Sequence, residues 1–279
     1  LTLRRDDTMK DIFEGTGQPL DQTGFDAALN HVGGDAEALW SILRVETKGF
    51  GFFADRRPKI LFERHVFRGR TGGRFDAQAP DLSNKTPGGY AGGTAEYTRL
   101  KRAMLLDRAS AFASVSWGLG QVMGFNAVKI GYASADAMIT AFAGDEAAQI
   151  LGCARFITAT PALRDAYRAH RWDKVAFFYN GSNYAINAYD TKLAAAHQEF
   201  RAKGCPSIAL RAVQAYLTYL GFDPRGIDGM PGTGTANALS AFRQSYARFN
   251  VSTALPSASA PAADHLACLS AAFAATART

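Results

Sequence analysis

Glu46 stands at the end of a helical pattern in which Leu39, Ile42, Leu43 and Glu46 recur at offsets of three, four and seven. The carboxylate therefore continues an apolar stripe instead of sitting on a solvated face. Desolvation and the negative potential of a helix C-terminus both favour its protonated form, the property required of a general acid working near neutral pH. The competing reading is an exposed Glu at a helix end. A second stretch is Ser116-Trp117-Gly118-Leu119-Gly120-Gln121-Val122-Met123. Two glycines that let the backbone approach a ligand, an aromatic platform and one amide suit a sugar, which offers hydroxyls to polar groups and C–H faces to rings. Trp117 serves equally well as core. Phosphate cradling by Gly118, Gly120 and Gly124 fails on spacing and on the lack of a strand-then-helix context. The third stretch, Phe178-Tyr179-Asn180-Gly181 with Tyr184 beyond it, ends a helix in hydrogen-bonding and aromatic side chains, or is an ordinary cap.

These residues need elements to hold them. Asp26 to Glu46 reads as helical, interrupted at Gly33-Gly34, where Asp35 can cap a second helix. Lys59 to Phe67 (KILFERHVF) reads as extended, with Glu63 embedded in it. Gly69 to Gly93 holds seven glycines and two prolines, a long irregular region of the kind that is more often functional than idle. Helices are expected at about 95–114, 135–142, 146–159, 161–169 and 172–179, so the first unit is mainly α with a minor β element. Gly204-Cys205-Pro206 stops the chain's next helix, and a smaller unit follows. There Leu210, Val213, Leu217 and Leu220, then Leu239, Phe242 and Tyr246, mark two amphipathic helices. A glycine-rich turn, Gly226 to Thr235, joins them and ends in a helix-capping Thr; Pro256 to Ala263 is a loop before a last helix, 265–275.

Composition narrows the classes. The 279 residues are 47% hydrophobic and 20% charged, ordinary for a folded domain and against wholesale disorder. A formal charge of +6 permits an acidic polymer as partner, but Lys and Arg are scattered, so nucleic acid is not expected. Ala109 to Val128 lacks formal charge and is long enough to test as a membrane span, yet its serines, amides and glycines read as helix and loop. No stable membrane insertion is expected. Cys153, Cys205 and Cys268 form no CxxC pair, and the five histidines include no HExxH, so neither a metal nor a cofactor is expected. The start has no apolar signal core, so the chain as given is expected to be made in a cytoplasm without its own secretory address.

Taken in order, Val45-Glu46, Arg57 to His65, Ser116 to Asn126, and Tyr179-Asn180-Gly181 through Tyr189-Asp190-Lys192-Leu193 resemble the N-acetylmuramidase family of phage endolysins, related to goose-type lysozymes and lytic transglycosylases. The resemblance covers about 25–201. It departs in reading Glu46-Thr47 where relatives often have Glu-Ser, Gly120 where transglycosylases commonly carry Met, and Gly181 directly after Asn180 without the usual Ala. It implies a lysozyme-like α+β catalytic domain that cleaves the β-1,4 bond between N-acetylmuramic acid and N-acetylglucosamine in peptidoglycan. Glu46 matches the catalytic acid. Glu63 and Asp55 are the candidates for a second carboxylate, and Gln121, Tyr179, Asn180, Trp117 and Gly118 for holding the saccharide. Gln214, Leu217, Gly221, Ile227-Asp228-Gly229, Gly232, Thr235 and Phe242 resemble a peptidoglycan-binding three-helix module over about 207–279.

These resemblances imply an N-terminal extension over 1–24, a catalytic domain over 25–204 and a wall-binding domain over 205–279. The protein would be a monomer with glycan strands as partner. It would reach the wall through a separate membrane-permeabilising protein or by injection. A lytic transglycosylase and a non-catalytic wall-binding protein are the alternatives.

Overall fold

The computed structural model describes residues 12–276; the first eleven residues of the expected N-terminal extension lie outside the described residues. Among the described residues the chain forms twelve α-helices and one small three-stranded sheet. Asp21 caps α1 (Gln22–Val32) by accepting from Gly24 N, and Asp35 caps α2 (Ala36–Thr47) by accepting from Ala38 N. The break between them falls at Gly33-Gly34, as the glycines require. The first core begins earlier than the expected boundary at residue 25. Phe13 and Leu20 are fully buried, and the Phe13 ring packs on Tyr97, Phe112 and Trp117.

Strand β1 (Ile60–Phe62) is shorter than the nine-residue extended segment read from its β-branched content. Its chain turns at Glu63 into α3 (Arg64–Thr71), because Glu63 N pairs with Ser114 O and the next amides close helical bonds. β1 pairs antiparallel with β2 (Val115–Trp117), which pairs with β3 (Val122–Met123). Leu61 lies opposite Ser116, and Ser116 opposite Met123. Side chains alternate across a strand, so this row faces one way while Ile60, Phe62, Val115, Trp117 and Val122 enter the core.

The glycine-rich segment after α3 is anchored at its far end by α4 (Glu96–Ala113). Glu96, fully buried, accepts from Ala91 N, Gly92 N and Phe62 N and pairs with Arg99 at 2.8 Å. Arg99 in turn donates to Phe62 O and Asp81 O. One buried ion pair thus ties the long loop to β1, beside Glu63. Helices α5 (Ala135–Gly144), α6 (Glu146–Thr158), α7 (Pro161–Arg168) and α8 (Trp172–Asn180) lie close to their expected bounds, and α9 (Tyr189–Lys203), which ends at the expected stop, completes the first unit.

Helices α10 (Ile208–Tyr219), α11 (Thr233–Gln244) and α12 (Leu266–Thr276) enclose their own apolar cluster of Val213, Leu217, Phe242, Leu269 and Phe273. Gln214 organises the turn before α11: its Oε1 accepts from Asp228 N and Gly229 N, and its Nε2 faces Asp228 Oδ1, Met230 O and Thr235 Oγ1. Thr235 therefore lies inside α11 and does not cap it; Gly232 holds the cap position. The two parts of the chain share a dry contact. Arg211 on α10 and Glu146 on α6 are both fully buried and meet in a two-pronged ion pair at 2.5 and 2.7 Å. Among the described residues no helix is long and apolar enough to cross a membrane. The uncharged stretch from Ala109 is divided between the end of α4 and the β2–β3 hairpin.

Candidate active site

A cleft of about 480 Å³ runs between the sheet, the glycine-rich loop, the C-terminal ends of α2 and α8, and the start of α9. Glu46 and Glu63 both line it. Glu46 rides the last turn of α2, whose buried Leu39, Ile42 and Leu43 fix the helix against the core. Its carboxyl is surrounded by protein while remaining partly open to the cleft, and Asn180 Nδ2 donates to Oε1 at 2.8 Å. Loss of hydration outweighs that hydrogen bond and lifts the pKa from 4.5 to about 7. At neutral pH the group is thus shared between acid and base forms, poised to give up a proton.

Glu63 is held differently. Tyr90 Oη donates toward its two oxygens, each 3.1 Å away, and His65 Nδ1 lies 3.2 Å from Oε2. Burial raises its pKa, while His65, Tyr90 and Arg99 oppose the rise. Tyr189 stands in the field of both carboxyls: burial, then Glu46, then Glu63 raise its phenol. The cleft therefore contains one carboxyl hydrogen-bonded by a neutral amide and a second beside a phenol and an imidazole. Burial raises both carboxyls, and only Glu63 has charged side chains opposing the rise.

The remaining expected residues divide. Asn180 reaches Glu46. Tyr179 lines the cleft, but its hydroxyl donates to Gly120 O at 2.5 Å and touches Cys153 Sγ at 3.2 Å, so it braces the hairpin turn from below. Gln121 also lines the cleft, in a left-handed conformation at φ 47°. Its amide is committed internally: Oε1 accepts from Ser116 Oγ, and Nε2 donates to Lys59 O and Gly118 O. Trp117 is not a sugar platform. Its side chain is fully buried and donates to Phe112 O, because strand alternation turns Ser116 to the cleft and Trp117 to the core. Gly118 is required by packing, not by a ligand: at φ 68° a Cβ there would stand 2.6 Å from Gln149 Cδ. Asp55 lies outside the cleft and braces its own turn, accepting from Arg57 Nη2 at 2.6 Å and from Arg57 N at 3.1 Å.

Tyr90 was not among the expected site residues, and His65 and Ser116 stood in the quoted stretches without a role of their own. The only available signal for Tyr90 was an aromatic inside the long glycine-rich loop. A second concavity of about 440 Å³, between Arg44, Lys48, Glu199, Lys203, Asp228 and Met230, is no rival. Arg44 pairs with its Glu199 and holds that carboxyl below the usual range, and its Asp228 accepts from Gln214.

The geometry now has a context. Residues 35–201 match the family model for N-acetylmuramidase, a span that contains Glu46, Glu63 and Asn180. The chain belongs to the N-acetylmuramidase family. A solved structure similar to this muramidase is a Burkholderia AP3 phage endolysin, 37% identical, with a TM-score of 0.60 over 66% of this chain and 72% of that one. No curated protein matches it. The matched span starts at the N-cap of α2 and ends in α9, so it encloses every wall of the muramidase cleft and leaves out α10 to α12.

Proposed function

We propose that this muramidase hydrolyses the β-1,4 bond between N-acetylmuramic acid and N-acetylglucosamine in peptidoglycan, with Glu46 as general acid. The observation that carries the reading is Glu46 itself, a carboxyl lifted to about 7 at the wall of an open cleft whose described lining holds no lysine or arginine. Glu46 protonates the glycosidic oxygen as the bond breaks. Glu63, steered by Tyr90 and His65, stabilises the positive charge developing on the sugar ring or activates the incoming water. Asn180 orients the acid, and Ser116 and Tyr189 offer hydroxyls to the glycan.

On this reading the part up to residue 204, with Phe13 and Leu20 in its core, is catalytic and 205–279 hold the enzyme on the wall, as an endolysin acting as a monomer outside the cytoplasm. Muropeptide mass spectrometry of a digest tests the chemistry. Products ending in reducing muramic acid are expected. A 1,6-anhydromuramic product would replace hydrolysis by intramolecular transglycosylation.

The pH profile follows from the same groups. Glu46 must be protonated, so kcat/KM falls on the alkaline side with a midpoint near 7, approaching tenfold per pH unit. Glu63 must be ionised, which sets the acid limb. Tyr90→Phe removes a hydrogen bond that favours the carboxylate, so the acid limb moves to higher pH while the alkaline limb stays. An alkaline limb that moves instead would assign the two carboxyls the other way round.

A further inference from the structure

We infer that Asp35, His170 and His197 form a site for a divalent transition-metal ion, zinc above all, remote from the cleft. The three side chains come from separate elements: the N-cap of α2, the turn between α7 and α8, and the middle of α9. One ligand atom from each lies within 4.8 Å of the others. His170 Nε2 is 2.8 Å from Asp35 Oδ2, and His197 Nε2 is 3.4 Å from Asp35 Oδ1. Ligands bound to tetrahedral zinc at 2.0–2.1 Å stand roughly 3.3 Å apart, so both imidazole–carboxylate distances are already near that spacing, and the remaining side, within 4.8 Å, closes by side-chain rotation.

Two imidazoles and a carboxylate are donors that suit zinc and its neighbours, not magnesium or calcium, which prefer all-oxygen shells.

Three observations separate this trio from an ordinary hydrogen-bonded group. His197 is 6% exposed, and its Nε2 has no hydrogen-bond partner although it points at the carboxylate. A buried donor or acceptor left open costs stability unless something fills the position. His170 takes a left-handed backbone at φ 51°, an uncommon conformation for a residue with a Cβ, which turns its ring toward the carboxylate. The Trp172 ring covers both imidazoles, at 5.7 Å from His170 and 5.0 Å from His197. His170 and Asp35 remain about one-third exposed, leaving an entry path and room for a water as fourth ligand. Asp35 caps α2 through Oδ1 alone, so Oδ2 can ligate without uncapping the helix.

An ion there would tie together the starts of α2 and α8, the two helices whose far ends bring Glu46 and Asn180 into contact. Glu46 lies eleven residues along α2 from Asp35, roughly 16 Å at 1.5 Å per residue, so the ion would act as a clamp and not as a reagent. The inference is independent of what the cleft cleaves.

The untagged chain, stripped with a chelator and dialysed against zinc chloride, tests it by elemental analysis and melting. The expected result is about one zinc per chain, with a rise of roughly 5 °C in Tm at a hundredfold excess over Kd. His170→Asn keeps a residue that tolerates the left-handed backbone, and Asp35→Asn keeps an effective helix cap. Both, with His197→Gln, should hold less than about a tenth of the wild-type zinc and lose the Tm response. Should His197→Gln fail to fold, the other two decide. Absence of zinc from the wild-type chain overturns the site. So does zinc retained by His170→Asn and Asp35→Asn, for instance on Cys205.

Discussion

Glu46→Gln is expected to reduce wall lysis by roughly 10²–10⁴-fold, the usual contribution of a positioned general acid, while sedimentation with intact walls is unchanged. Gln occupies the same space, and its carbonyl still accepts from Asn180, so only the transferable proton is lost. Stability serves as the internal control. A carboxyl whose folded pKa is near 7 and whose unfolded value is 4.5 favours folding fully below about 4.5, and that contribution disappears as pH rises through 7. Above 7 the wild type therefore carries a desolvated carboxylate that the variant lacks. Glu46→Gln should melt no lower than wild type at pH 8, and lost lysis then cannot be ascribed to unfolding. Substantial lysis by the purified variant would remove Glu46 from the mechanism, whereas failure to sediment would point to the wall-holding role of α10 to α12.

Glu46 was legible because its signal is local. A helix keeps its period over a dozen residues, so an acid on an apolar stripe declares itself, and most helix bounds came within a few residues for the same reason. Trp117 stayed open between sugar platform and core because a Gly-Leu-Gly run looks like a loop, whereas a two-strand hairpin imposes alternation. Ser116 faces the cleft, and its neighbour therefore cannot. Glu63 was assigned to a strand that ends one residue before it, since KILFERHVF carries enough β-branched and aromatic weight to hide the start of α3. The position still fell in the cleft, because a strand-to-helix junction at the sheet's edge exposes its carboxyl. His170 and His197 left no trace in the pattern, and Tyr90 no more than an aromatic inside the glycine-rich loop. Each matters through a partner far away in the chain, and spacing carries no information about such meetings.

The Glu146–Arg211 pair is the furthest such meeting in consequence, and Arg211→Met is expected to destabilise the whole chain by about 3–5 kcal/mol. Glu146 accepts from Leu20 N at 2.9 Å, from Gly51 N at 2.7 Å and from both Arg211 terminal nitrogens, while Arg211 Nε donates to Gly49 O. All three partner residues lie away from α6, so this one carboxylate gathers the N-terminal segment, the turn after α2 and the first helix of the C-terminal unit. With Met at 211 the carboxylate keeps two amide donors and loses the cation that hydrogen-bonds to it at full burial. Removing one member of a buried pair costs more than replacing both, because the charge left behind has no water to return to. Glu146→Leu combined with Arg211→Met should therefore recover part of the loss. At roughly 2 °C per kcal/mol for a chain of this size, calorimetry should read a Tm drop of about 6–10 °C for the single variant. Lysis should weaken below that melting point, since Gly49 and Gly51 hold the chain directly behind Glu46. A single variant that melts with wild type would mean that the contact between the two units is not dry, and that α10 to α12 ride on the catalytic unit loosely.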